Sequence, residues 1–298
     1  MLQSLHVNWI TSELPVNLKP SKIPQVFSAA ISGCTGVLRV ASARLASLSP
    51  HLSRRGTGIC DTEKQILYHD GIGPMPSYYT EQLAAERLRA CYDLAPPRTR
   101  AYLKAELEFV FTKTSPSIVV LELGCGYGRV LRPLLARTRV AFGIDTSFSS
   151  LRMALEFVGR GPSLCLACMD AVQLGFREHM FDLTICIQNG ICAFAADQQQ
   201  LFREALRVTR SGGLVLFSTY LARFWEHRLE WFEVQSAHHL IGEIDYQATG
   251  NGVIVCKDGF RATSADATTF ERLAAGVGVT PRITEVDNSS LFCEIVAP

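Results

Sequence analysis

Charge excess of either sign is missing from this chain. Its 298 residues hold 29 lysines and arginines against 28 acids, a formal net charge of +1. A protein that tracks phosphates normally shows a strong basic bias, so the balance gives no case for a nucleic-acid partner. Long apolar runs are missing too: no stretch of ~18 apolar residues marks a membrane span, and no membrane partner is expected. Metal-ligand patterns are equally thin. His238-His239 has no second ligand pair. Cys165 and Cys168 form a C-x-x-C, but within an apolar strand-like run. Side chains three positions apart on a strand point to opposite faces and cannot share a zinc ion. No metal is expected.

Acids almost vanish from the first 55 residues, where Glu13 stands alone against Lys19, Lys22, Arg39, Arg44, Arg54 and Arg55. Serine is abundant there, and residues 28–48 can form an arginine-bearing amphipathic stretch. This composition reads in three ways: an organelle transit peptide, an unstructured tail, or an upstream extension that the natural start codon excludes. Cysteine, by contrast, is plentiful, with ten in the chain. Most lie in apolar runs (Cys165, Cys168, Cys186, Cys256, Cys293) or in a glycine-rich turn (Cys125). Cysteine behaves there as a small buried hydrophobe, and the scatter reads as reduced and intracellular. The expected location is the cytoplasm, or an organelle matrix if residues 1–55 are a transit peptide.

The length accommodates one large α/β domain with extensions. Its most informative segment is Val119-Val120-Leu121-Glu122-Leu123-Gly124-Cys125-Gly126-Tyr127-Gly128-Arg129. An apolar strand from Ile118 to Leu123 breaks into glycines at alternate positions, and a helical pattern follows over 129–137. Glycines at such a turn let the backbone approach a ligand that a Cβ would exclude. The dinucleotide fingerprint G-x-G-x-x-G would need glycine at 129, where Arg129 stands, and it has no place for Glu122. A second strand, 140–144, ends at Asp145, about 20 residues past the glycines, where an acid can accept from both ribose hydroxyls. A helix over 148–158 leads to a third strand, 164–169, then Asp170-Ala171.

The pattern E-x-G-x-G-x-G resembles the first motif of the class I S-adenosylmethionine-dependent methyltransferases. Phe181 to Gly190 is similar to the family's fourth-strand motif. The helix over 201–208, the turn at Gly212-Gly213 and the strand over 214–218 resemble the family's next helix, its Gly-Gly turn and its fifth strand. The resemblance covers about residues 95 to 220 and extends more weakly to the C-terminus. It implies a doubly wound α/β sheet of seven strands, mostly parallel with an antiparallel last strand, and S-adenosylmethionine as cofactor. On this likeness Gly124, Cys125, Gly126 and Gly128 form the cofactor loop, and Glu122 supports the methionine amino end. Asp145 holds the ribose, with Thr146 beside it among the cofactor-binding residues, Asp170 takes the adenine amine, and Met169 and Ala171 wall the ring. Gln188 and Asn189 close the fourth strand and have the best claim to the transfer site, with Asn189 able to accept from a substrate N–H or O–H. His227, His238 and His239 are weaker candidates for a base. The nucleic-acid amino methyltransferases carry Asn/Asp-Pro-Pro-aromatic at this position. Here Gly190 and Ile191 follow Asn189, which removes the main support for that substrate class.

The organisation expected is an extension over residues 1–60, a helical cap over 61–115, and the main domain over 116–298 with a substrate-side insertion at about 221–262. In the cap, helical runs cover 80–92 and 98–111, and Tyr78 and Tyr79 read equally as a lid or as helix anchors. In the insertion, Trp225, Trp231 and Phe232 read equally as substrate contacts or plain core. Residues 240–246 and 253–256 read as a β-hairpin. The functional expectation is methyl transfer to a small molecule by in-line displacement. The alternatives are protein methylation and cofactor binding without turnover. The oligomeric state is open.

Overall fold

The computed structural model describes residues 66–68, 78–194 and 196–298. The expected extension over 1–60 and the boundary near Asp61 therefore lie outside the described residues.

A short strand, β1 (Ile66–Tyr68), comes first. The helices α1 (Tyr78–Glu81), α2 (Ala85–Asp93) and α3 (Pro97–Phe111) follow. Alternation of strand and helix then begins with β2 (Val119–Leu123), α4 (Leu131–Leu134), β3 (Val140–Asp145), α5 (Phe148–Val158) and β4 (Leu164–Cys168). It continues with β5 (Phe181–Cys186), α6 (Gly190–Ala193), α7 (Gln198–Val208) and β6 (Thr209–Tyr220). Next come α8 (Trp225–Ala237) and the two-residue strands β7 (Ile254–Val255) and β8 (Arg261–Ala262). Helix α9 (Ala267–Ala275), β9 (Arg282–Val286) and β10 (Ser290–Val296) close the chain.

The main sheet runs β1-β4-β3-β2-β5-β6-β10-β9, with β10 antiparallel to both its neighbours and the core strands parallel. Seven of these strands are the expected doubly wound sheet; β1 adds an eighth, parallel to β4 at the edge. Three residues are too short a run to show periodicity, which is why the sequence hides it. Strand β2 is buried almost throughout because helices cover both faces of the sheet. Leu121 and Leu123 join the cluster under α7 and α9, whereas Val120 joins the one under α3 and α4. Strand alternation sends Glu122 to the same face as Val120. The chain steps from β2 to β3 and β4 on one side, then returns to β5 on the other. That reversal opens a crevice at the carboxyl ends of the central strands, where ligands of open α/β sheets bind.

Several helices begin where the sequence supplies a cap. Ser147, Asp197 and Asp266 accept backbone N–H groups at the starts of α5, α7 and α9, and Pro97 stands at the first turn of α3. Three expectations need correction. The helix over 129–137 is a single turn that begins only at Leu131, since Pro133 lacks the N–H that a helix begun at Arg129 would donate to that residue's carbonyl. The run over 80–92 breaks in two where Leu83 turns into the apolar cluster of the insertion and Ala85 adopts φ +48°. The hairpin over 240–256 reduces to two isolated antiparallel bridges, Ile244 to Cys256 and Gly250 to Val253, and the short ladder is instead β7 with β8.

Candidate active site

The crevice begins with the turn after β2. Cys125 N–H donates to the Ile144 carbonyl at 2.8 Å, extending the ladder, and Gly128 N–H donates to Cys125 at 2.9 Å. Gly124, Gly126 and Gly128 have φ of +73°, +51° and +85°, a region that L side chains avoid. A Cβ on Gly124 would sit 2.5 Å from the Phe194 ring, and one on Gly126 2.9 Å from Leu88 Cδ2. Both glycines line the cavity. Gly128 does not: a Cβ there would meet Val158 Cγ2 at 2.5 Å, so this glycine lets α5 pack against the turn. Cys125 also stays outside the lining, its thiol buried and pushed well above the ordinary range.

Three carboxyls stand at the strand ends. Glu122 is 5% exposed, and its Oε2 is buried without a hydrogen-bond partner. Burial pushes it up to about 8, against the pull of Arg129. Asp145 accepts from Gly126 N–H through Oδ2 and from Ser147 N–H through Oδ1, each at 2.8 Å. Burial raises it while these backbone donors oppose the shift. Asp170 accepts from Val172 N–H at 3.0 Å through Oδ1.

At the end of β5 the backbone is left-handed twice in succession, with φ +56° at Gln188 and +63° at Asn189. Strain of this kind concentrates where surrounding contacts over-determine it. Gln188 N–H is held between Ser218 Oγ at 2.8 Å and Glu106 Oε2 at 3.1 Å. The Tyr92 hydroxyl donates to Gln188 Oε1 at 3.0 Å, leaving Nε2 buried and uncommitted. Asn189 is otherwise engaged: its Oδ1 takes the Thr219 hydroxyl at 2.8 Å and its Nδ2 donates to the Thr263 carbonyl at 2.8 Å. The open polar group at this corner is therefore the Gln188 amide.

These groups share one cavity of about 310 Å³. Glu122, Gly124, Gly126, Asp145, Thr146, Met169, Asp170, Ala171, Gln188 and Asn189 all line it. Tyr79 lines it too, while Tyr78 instead donates to Asp258 Oδ2 at 2.6 Å. Helices α1 and α2 and the segment around α8 are tied together above it. Arg87 Nη2 donates to the His239 and Leu240 carbonyls, each at 2.8 Å, and Trp231 Nε1 donates to Cys91 O at 2.8 Å. His227, His238 and His239 do not line the cavity. Among the described residues no cluster of three or more His, Cys, Asp or Glu side chains is arranged to hold a metal. No described helix is long and apolar enough to cross a membrane.

Sequence reasoning missed Leu88, Tyr92, Tyr220 and Phe260 in the lining, and Glu106 behind it. Glu106 is fully buried and pushed up to about 7 by burial, with Ser218, Ser290, Arg129 and Tyr102 opposing. It shares a helix face with Tyr102, Leu103 and Val110, so a polar residue inside that stripe was the available signal.

Residues 120–213 match the family model described as a methyltransferase domain. Over those residues the chain carries a methyltransferase domain, and it is similar to the class I S-adenosylmethionine-dependent methyltransferases. Curated relatives of this methyltransferase domain include two malonyl-[acyl-carrier protein] O-methyltransferases. The one from Marinomonas sp. (strain MWYL1) is 30% identical over 128 residues, 41% of this chain and 46% of the relative. The one from Hamiltonella defensa is 28% identical over 122 residues, 41% of this chain and 45% of the relative. The match thus spans less than half the length of either. Among solved structures, a protein from Pyrococcus horikoshii superposes with a TM-score of 0.51 at 20% identity, covering 75% of this chain and all of that one. Magnesium protoporphyrin IX methyltransferase from Synechocystis gives 0.50 at 15% identity, covering 74% and 94%. Both likenesses are of fold alone.

Proposed function

We propose that the protein transfers a methyl group from S-adenosylmethionine to a small-molecule acceptor. The observation that carries this reading is a single cavity with two differently built ends. One end gathers Glu122, Asp145 and Asp170 at successive strand ends; the other opens beyond Gln188 onto apolar side chains.

The first end fits the cofactor. Glu122 Oε2 is a buried acceptor that lacks a donor, which the ammonium of a methionine moiety supplies. Asp145 is aimed by two backbone N–H groups, and each oxygen keeps a further lone pair for a ribose hydroxyl. Asp170 commits only Oδ1 to the backbone, so Oδ2 is open to an adenine amine between Met169 and Ala171. Gly124 and Gly126 keep the turn free of side chains where the methionine end would pass. When bound, S-adenosylmethionine supplies a methyl group already activated on sulfonium. The chain's own task is to exclude water and hold a nucleophile in line, from which proximity and orientation supply much of the rate. Gln188 stands where the two ends meet, its backbone fixed by Ser218 and Glu106.

Calorimetric titration of the full chain with S-adenosylhomocysteine, with NAD in parallel, tests the cofactor end. Micromolar binding of S-adenosylhomocysteine alone is expected. Binding of NAD alone would overturn the reading, and so would binding of neither. Turnover is tested by incubating the chain with labelled methyl donor and a metabolite extract, in which label should pass to low-molecular-mass material.

A further inference from the structure

The cavity beyond Gln188 is walled by aromatic rings in sequence. Ring centroids are 5.7 Å apart from Tyr92 to Trp231, 6.1 Å from Trp231 to Phe232, 5.9 Å from Phe232 to Phe260 and 6.1 Å from Phe260 to Tyr79. All five rings line the cavity. The indole N–H of Trp231 is committed to the Cys91 carbonyl and the Tyr92 hydroxyl to Gln188, so these two rings present mainly carbon.

Charge is distributed just as unevenly. Among the described residues, the charged ones lining the cavity are Glu122, Asp145 and Asp170, with no lysine, arginine or histidine in the lining. Two arginines lie behind the wall. The Arg129 guanidinium stands 4.6 Å from the Tyr92 ring centroid. That of Arg228 stands 4.7 Å from the Tyr220 centroid, with Nη1 and Nη2 donating to the Gly252 and Thr263 carbonyls. An anionic acceptor would leave water for ring carbon, with no cation among the described residues of the lining to meet it. A flat apolar surface gains by the same transfer, with ring edges and faces to pack against. Among the described residues that line the cavity, the buried donor without a partner is Gln188 Nε2, and an oxygen on the acceptor would satisfy it.

We infer that the acceptor is an uncharged, planar aromatic molecule whose oxygen takes the amide N–H of Gln188, with its ring against the wall from Tyr92 to Tyr79. This rests on the cofactor occupying the carboxylate end, as proposed above.

The test uses the full chain saturated with S-adenosylhomocysteine and three probes that share one ring system: 2-naphthol, 2-naphthoate and (2-naphthylmethyl)trimethylammonium. Binding is followed by calorimetry and by tryptophan emission. The expected result is that 2-naphthol binds more tightly than either charged probe by about tenfold or more. Gln188→Leu and Phe260→Ala should each weaken 2-naphthol several-fold. Tyr79→Arg, which brings a cation to the wall, should shift the preference toward 2-naphthoate. Unchanged S-adenosylhomocysteine affinity in the Phe260 and Tyr79 variants reports that they are folded. If S-adenosylhomocysteine itself fails to bind, the functional reading falls and this inference with it. If it binds but a charged probe matches or beats 2-naphthol, or none of the three binds, only the acceptor class is wrong.

Discussion

Replacing Glu122 by glutamine keeps the side chain's size and removes its charge, which isolates one electrostatic contribution. With the carboxyl held at about 8 by burial, most ligand-free molecules near neutral pH carry it protonated. The cofactor's ammonium selects the ionised form, so binding must expel a proton. For a folded value of about 8, wild-type affinity for S-adenosylhomocysteine should tighten ~25-fold from about pH 6 to about pH 7.5. In Glu122→Gln that share of the slope disappears, and the lost charge-assisted hydrogen bond weakens binding by about 1.5–3 kcal/mol at the upper pH. Calorimetry in phosphate and in imidazole counts the protons, because the observed heats differ by the buffers' ionisation enthalpies. Wild type should release close to one proton at the lower pH and the variant distinctly fewer. Any slope left in the variant belongs to Asp145, which burial also raises. Wild-type affinity that ignores pH, or a variant with the same slope and strength as wild type, would refute the reasoning.

Other substitutions separate binding from folding. Asp145→Ala should weaken S-adenosylhomocysteine by about 1–3 kcal/mol in the same titration, and normal binding would remove it from the ribose site. Gly126→Val should abolish binding, since the branched side chain enters the cavity against Leu88 from a left-handed backbone; retained affinity would sink the loop assignment. Gly128→Ala should instead destabilise the fold by ~1–3 kcal/mol in a denaturant midpoint while leaving affinity within about twofold, because its Cβ meets Val158 rather than a ligand. The raised carboxyl of Glu106 favours its neutral form in the folded state. Its contribution to stability is complete below the ordinary value of 4.5 and is lost as pH rises through about 7. The thermal midpoint of ligand-free protein should therefore fall across that window, and Glu106→Gln should flatten the fall.

The sheet was legible because its strands carry their own signal. Runs such as Val140 to Ile144 and Phe181 to Ile187 are largely buried, and the residues that end them, Asp145 and Gln188, fall where the crevice needs polar groups. Gly128 was legible as a glycine but not as a packing glycine, since Val158 approaches it only after α5 folds back. Pro133 was visible and outweighs the apolar spacing around it. Asn189 looked open because nothing near it in sequence announces Thr219 or Thr263 as partners. Tyr92 and Phe260 line the same cavity from opposite ends of the chain, a juxtaposition that local periodicity cannot encode.

The contacts that roof the cavity join residues very far apart along the chain: 180 positions for Tyr78 with Asp258, 153 for Arg87 with Leu240 and 140 for Trp231 with Cys91. Each encloses strands β2 to β6 within its loop. Long-range contacts bear their closure entropy before they give anything back, so the roof can assemble only once the sheet holds its two halves close. Order of assembly then becomes a form of modularity. Pairing within the β2-to-β6 unit needs no contact from the roof, whereas the contacts that close the roof gain from that pairing. Sequence drift in residues 78–93 and 225–262 can thus reshape what enters the chamber without disturbing the folding of the strands beneath it.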